Sequence, residues 1–224
     1  MKPYRKNSKM SLNSVRDLPD LPADLPLLEY GIEHFRSREV ILRDRTIEDL
    51  SLDELPATTL RLESCVLNRV NMARSKLPSL RLKDVRLIDC DLANAEACGL
   101  TALRVEFLNC RLTGFHANEA DCQDLLISEG DARYSQFRFG AFRSAEFKSC
   151  NFEDADFQGT DLRGALFKAC NLQKVEMTGV KLERADFRGS RVEGLRANAS
   201  DLRGAIVDPS QAMSFATILG LKIM

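Results

Sequence analysis

Two histidines, seven cysteines and 33 carboxylates are the residues of this 224-residue chain that could carry acid–base, nucleophilic or metal chemistry. Their spacing argues against all three. His34 and His116 have no Cys or Asp set around them in the order of a triad, and neither is assigned a catalytic role. Cys90, Cys110, Cys150 and Cys170 recur at multiples of twenty, with Gly130 in the gap. Zinc needs four ligands converging tetrahedrally, whereas side chains repeated at a fixed period along one direction point in parallel. Parallel side-chain vectors also suit a disulfide badly. The four read as buried thiols acting as small hydrophobes, and Cys98 as an outward, reactive one. Gly159, Gly164, Gly179, Gly189, Gly194 and Gly204 recur every five residues or multiples of five and read as turns, not as a phosphate-binding loop. No catalytic residue, metal site or cofactor is assigned, and the chain is not expected to be an enzyme.

Charge narrows the partners. With 32 basic against 33 acidic residues the net charge is −1, so no global field steers the chain to nucleic acid or membrane. Bases and acids are interleaved across 133–205, which gives no basic stripe for direct nucleic-acid binding. One local exception is acidic: Glu119, Asp121, Asp124, Glu129 and Asp131 lie between Arg111 and Arg133 without an intervening Lys or Arg. This belt is either a solvated surface or a patch for a basic partner. Nothing approaches the ~18 consecutive apolar residues of a membrane span. Lys2, Arg5, Lys6 and Lys9 are followed by no apolar signal region, and the odd cysteine count fits reduced thiols, so a cytoplasmic location is expected.

What positions these residues is a repeat. From Leu42 to Val207 every fifth residue is Leu, Phe, Ile, Met, Val, Ala or Cys; the residue two places before it is small or apolar, with Arg45 the one charged exception. A helix would show apolar residues at i, i+3 and i+4, and a strand at every second residue. A period of five requires a chain that turns a corner every five residues, with two inward side chains per turn stacked into a continuous core. Volumes support this. Alanine at a centre is offset by a large partner in Leu55/Ala57, Leu100/Ala102, Phe115/Ala117 and Leu195/Ala197. Ala95/Ala97 and Gly130/Ala132 are not offset, and voids or distortion are expected there.

The units Ala155-Asp156-Phe157, Ala185-Asp186-Phe187, Cys170-Asn171-Leu172 and Cys90-Asp91-Leu92 resemble the motif of the pentapeptide-repeat family, Ala-Asp/Asn-Leu/Phe-x-x. The resemblance covers about three-quarters of the chain. It implies an all-β fold, a right-handed quadrilateral β-helix with four pentapeptides per coil. Likeness at multiples of twenty agrees, as between 147–152 and 167–172. On that basis there are about eight and a half coils, a rod of ~40 Å at ~4.8 Å per coil.

Three regions are expected: a disordered basic lead and Pro-rich extended segment at 1–29, the β-helix at 30–208, and a capping or dimerising helix and tail at 209–224. Tyr30, Ile32 and Phe35 keep the phase and suggest an aromatic N-terminal cap. Asp208, Pro209 and Gln211 form a helix-start signal, and Gly220 a stop. Phe215, Leu219, Leu221 and Ile223 are the candidate dimer cap. Six outward aliphatics, Val66, Ile88, Leu108, Leu126, Leu166 and Ile206, fall on one side and form a candidate interaction face. The expected function is a non-enzymatic scaffold for a protein partner. The alternative implied by the resemblance is a duplex mimic that binds DNA gyrase or topoisomerase, as in quinolone-resistance members of the family.

Overall fold

The computed structural model describes residues 16–28, 32–218 and 220–221. The basic lead at 1–9, Tyr30, Leu219 and Ile223 lie outside the described residues, as do the side chains of Ile32 and His34. The chain is a β-solenoid. A 3-10 turn at Ile32–Arg36 leads into β1 (Glu39–Glu48), β2 (Thr59–Asn68), β3 (Arg81–Ile88), β4 (Thr101–Leu108) and β5 (Asp121–Ser128). Shorter strands follow, β6 (Ala141–Arg143), β7 (Glu146–Lys148) and β8 (Leu166–Lys168), and helix α1 (Pro209–Ile218) closes the end. All strands pair in parallel, in the order β1-β2-β3-β4-β5-β7-β8, with β6 also on β5. The register is twenty residues: Thr46, Val66, Arg86, Glu106, Leu126, Glu146, Leu166, Asp186 and Ile206 stand in one column.

Each five-residue unit is explained by three local devices. The centre donates its N–H to the next coil, as Leu92 does to Arg111 O at 2.8 Å, while Arg111 N–H returns to Cys90 O at 2.9 Å. The residue two after the centre turns the corner with positive φ. Asp, Asn and Ser supply half of the non-glycine residues there, the polar types that tolerate the left-handed region. Before the centre, Asp or Asn accepts the backbone N–H two residues on, as Asp91 does from Ala93 at 2.8 Å and Asn151 from Glu153 at 3.1 Å. This is why the repeat favours those residues on turn-type sides, where the N–H would otherwise face outward without a ladder partner.

The position two before the centre has its own logic. Cys90 Sγ lies 3.6 Å from Leu67 O, Cys150 Sγ 3.2 Å from Ile127 O, and Ser190 Oγ 3.0 Å from Phe167 O, all twenty-three residues apart. Ser75, Thr160, Cys65, Cys110 and Cys170 make the same contact. A thiol or hydroxyl here satisfies the carbonyl of a centre one coil back, so these residues are more than small space-fillers.

The interior carries columns of phenylalanine. Phe147 stacks on Phe167 at 4.7 Å and Phe167 on Phe187 at 5.0 Å, with rings tilted by 19° and 4°. A second column pairs Phe137 with Phe157 at 4.9 Å. Each such pair contributes ~0.5–1.5 kcal/mol beyond burial.

The phase departs from expectation in two places. Ala57 is exposed and Thr58 is buried in its stead, with Thr58 rather than Ala57 donating to Lys76 O at 3.0 Å. Pro56 is the local cause: it fixes φ and has no N–H, and the chain slips by one residue before Leu60 restores the phase. Leu55/Ala57 is therefore not a volume-compensated pair. Near the end, Ser200 faces solvent and Ala197 is only half-buried, while Asp201 accepts the N–H of Gly179, which the ladder would have used, together with that of Asn198. At Gly130 the expected void is closed: an added Cβ would sit 3.2 Å from Ile127 and 3.3 Å from Cys110 O.

Candidate interaction surface

The six aliphatics do share one side. Val66, Leu126, Leu166 and Ile206 stand in the column above, and Ile88 and Leu108 in the neighbouring column across the centres. Five are half-buried and only Ile206, 39 % exposed, is open. Charged side chains rise between them. Lys168 reaches Glu146 at 2.7 Å and Arg188 reaches Asp186 at 2.6 Å, both along this side. At its N-terminal end the face is also spanned by the chain itself: Leu21–Pro26 and the pair Val66 and Ile88 line opposite sides of a cleft of about 760 Å3.

That N-terminal segment is anchored by carboxylates that the five-residue phase turns outward. Arg16 donates to Glu106 at 2.8 Å, and both side chains are almost completely buried. Asp17 N–H donates to Asp124 at 3.2 Å and Asp20 N–H to Asp84 at 2.9 Å. Further along, Leu27 bridges Thr46 in parallel, with Thr46 N–H on Pro26 O at 2.9 Å and Leu28 N–H on Thr46 O at 2.7 Å. The rod side is braced independently: Arg104 holds Asp84 through two bonds, and Arg86 holds Glu106 at 2.7 Å. Burial pushes the Asp84 carboxyl up, but the Arg104 guanidinium and the Asp20 N–H outweigh it and hold it below the ordinary aspartate value. The leucines and prolines suggested an extended segment; nothing in their spacing signalled that it folds back along the rod.

The acidic belt is corrected accordingly. Asp124 is buried beneath the segment. Asp121 pairs with Arg143, and Asp131 with Arg133 at 2.7 Å, which holds the Asp131 carboxyl below its usual range. Glu119 and Glu129 remain exposed corner residues. The five encircle one coil on different sides and corners and do not form a continuous acidic surface.

Two residues outside these candidate faces stand out. Tyr134 and Phe139 occupy successive corners of one coil with φ of 60° and 57°, and are 58 % and 62 % exposed. A large aromatic with positive φ carries a backbone cost of ~1–2 kcal/mol. The Phe139 ring leans over the next corner, where an added Cβ on Gly159 would lie 2.6 Å from it. Gly159 leaves room for that ring. Arg138, between the two aromatics in sequence, pairs with Asp156 at 2.6 Å.

The C-terminal helix caps the rod. Asp208 accepts from Ser210 N–H and Gln211 N–H, and Gln211 Oε1 accepts from Asp208 N–H at 3.0 Å. This reciprocal cap is the one the sequence indicated. Gln211 Nε2 then donates to Phe187 O at 2.6 Å and Ser190 O at 2.7 Å, covering carbonyls of the last regular coil. Phe215 is buried edge-on against Phe187 at 6.4 Å, so it completes the chain's own core and is not free to build a dimer. Leu221 is exposed.

Cys90, Cys110, Cys150 and Cys170 are buried free thiols, as are Cys65 and Cys122, whereas Cys98 is exposed. The stacked Cys90 and burial together push Cys110 well above the usual thiol range, and Cys150 does the same to Cys170. His116 is half-buried and lies in register with Glu96 and Gln136. Among the described residues no group of three His, Cys, Asp or Glu could hold a metal ion, and no helix is long and apolar enough to cross a membrane.

The pentapeptide-repeat family model matches eight copies over residues 150–189. Comparison with curated protein sequences gives no match. Among solved structures, a trypsin-treated variant of QnrB1, a plasmid-mediated fluoroquinolone resistance protein, aligns at 20 % identity and TM-score 0.40, covering 89 % of this chain and 98 % of that one. HetL, a pentapeptide repeat protein involved in heterocyst differentiation regulation from the cyanobacterium Nostoc sp., aligns at 16 % identity and TM-score 0.26, covering 71 % and 90 %. Rfr23, a pentapeptide repeat protein from the cyanobacterium Cyanothece, aligns at 16 % and 0.23, covering 65 % and 91 %. Residues 150–189 therefore match pentapeptide repeats, and the same twenty-residue register runs on both sides of them, from Glu39 to Ile206.

Proposed function

We propose that the rod is a non-enzymatic protein-interaction scaffold and that its contact surface is centred on Tyr134 and Phe139. The observation that carries this reading is their placement: large, exposed aromatics held at strained corners of an otherwise polar, ion-paired surface. Strain of this kind persists where something other than stability maintains it. Tyr, Phe and Arg are also the residue types enriched at the cores of protein interfaces, and Arg138 lies between the two. A partner would bury both rings and gain apolar contact that solvent now denies them. The aliphatic side supplies a second reading, because Ile206 is open there. The duplex-mimic alternative draws little support from the acidic belt, where two carboxylates are neutralised by arginines and a third is covered.

The test is a capture experiment with the full-length chain and two variants, Tyr134→Ser with Phe139→Ser and Leu166→Glu with Ile206→Glu. The aromatic reading expects proteins captured by the wild type to be lost with the first variant and kept with the second. Identical capture by wild type and the aromatic variant rejects it. Loss with the second variant alone moves the contact to the aliphatic side. Recovery of gyrase, competed by DNA and weakened by salt, would restore the mimic reading.

A further inference from the structure

The N-terminal segment and the rod beneath it match in period. Asp17 and Asp20 are three residues apart and place their N–H groups on Asp124 and Asp84, which are forty residues, or two coils, apart. Two coils span ~9.6 Å at the strand spacing of a sheet. Three residues of polyproline II span ~9.3 Å. Pro19 within this stretch and Pro22 after it favour that conformation, since proline fixes φ near −65° and disfavours helix at the residue before it. Arg16 supplies the leading charge for Glu106. Two of the three receiving carboxylates, Asp84 and Glu106, are held by the rod's own Arg104 and Arg86, so they need no occupant to be positioned. Contact is also incomplete, since the cleft of about 760 Å3 remains between Leu21–Pro26 and the aliphatics of the rod.

We propose that this groove is a peptide-binding site occupied in cis, and that its partner is an extended, proline-punctuated peptide led by an arginine. Binding requires residues 16–28 to give way, so the segment acts as a competitor that sets the threshold for the partner. The proposal deepens the interaction-scaffold reading, but it concerns a different surface from Tyr134 and Phe139 and is tested separately.

The test uses the full chain and a fluorescein-labelled synthetic peptide with the sequence of residues 16–28. Arg16→Ala in the protein weakens the internal occupant and leaves the rod's residues untouched. Amide exchange across 17–28 is expected to rise at least tenfold, and the peptide, which keeps its arginine, to bind at least tenfold more tightly than to wild type. Adding Glu106→Gln to the protein should remove that gain, and replacing Pro19 and Pro22 by glycine in the peptide should weaken it. Far-UV circular dichroism and protection of the six buried thiols report that the rod is intact in each variant. Unchanged exchange in Arg16→Ala overturns the proposal, as does equal peptide binding to wild type and Arg16→Ala, or a gain that survives Glu106→Gln. None of these outcomes touches capture through the aromatic corners, so the two readings fail independently.

Discussion

Arg104 grips Asp84 through two parallel hydrogen bonds, Nε to Oδ1 at 2.6 Å and Nη2 to Oδ2 at 2.7 Å, and fixes the carboxylate that receives the N-terminal segment. Because the folded Asp84 titrates below its unfolded value, its contribution is fully present above about pH 4 and is lost as the pH falls through the lower, folded value. Asp84→Asn should cost about 1–3 kcal/mol at neutral pH. Urea melts of wild type and variant should keep a constant gap from pH 7 to 5 that narrows below about pH 4. A gap that widens on acidification would contradict the assigned direction.

Phe157→Ala should cost about 3–5 kcal/mol, because the ring sits wholly inside the stack and its loss leaves a cavity. Phe139→Ala should change stability by no more than about 1 kcal/mol, since the ring is 62 % exposed. Equal losses in denaturant melts would show that the outward corner is structural.

Thiol counting gives a direct check on the interior. One of the seven cysteines, Cys98, should react in the native state and all seven in denaturant. Serine keeps a donor to the Ile127 carbonyl, so Cys150→Ser should be tolerated better than Cys150→Ala, which leaves Ile127 O without its thiol contact. The reverse order would mean that burial alone decides the position.

Gln211→Ala removes both side-chain donors to Phe187 O and Ser190 O, and the return bond from Asp208 N–H. A loss of about 1–3 kcal/mol is expected, with amide exchange rising first in the last coil. Leu221→Ser should leave stability unchanged. If it also leaves sedimentation unchanged, the tail's exposed leucine plays no part in assembly.

The period of five could be read from composition at fixed positions because it depends only on local corners and on stacking of like on like. Phe147, Phe157, Phe167 and Phe187 are buried as that phase requires, and the Asp208–Gln211 cap forms as its spacing indicates. Long-range relations were not legible. Asp124 has the phase of an outward residue and is buried because another part of the chain lies on it, which no spacing around Asp124 records. Phe215 has the spacing of a free helical stripe, yet the open end of the Phe187 column claims it. Ala57 obeys the pattern by type, while Pro56 decides its orientation. Tyr134 and Phe139 could have been flagged as bulky side chains at a corner position otherwise filled by Gly, Asp, Asn or Ser in many coils.

A stack in which each coil touches only its neighbours unfolds like a row of weakly coupled units, able to fray from either end. The contacts of Arg16, Asp17 and Asp20 bypass that arrangement, joining residues 90, 107 and 64 positions apart where the ladder joins residues about twenty apart. Together with the Leu27–Thr46 bridge they act as a splint along the coils from Thr46 to Asp124 and couple them into one cooperative block. Coils beyond Asp124 have no such tie among the described residues, so hydrogen exchange should divide the rod near Ser128. Protection on the N-terminal side should collapse as a unit when the segment is released, and protection on the other side should fall coil by coil.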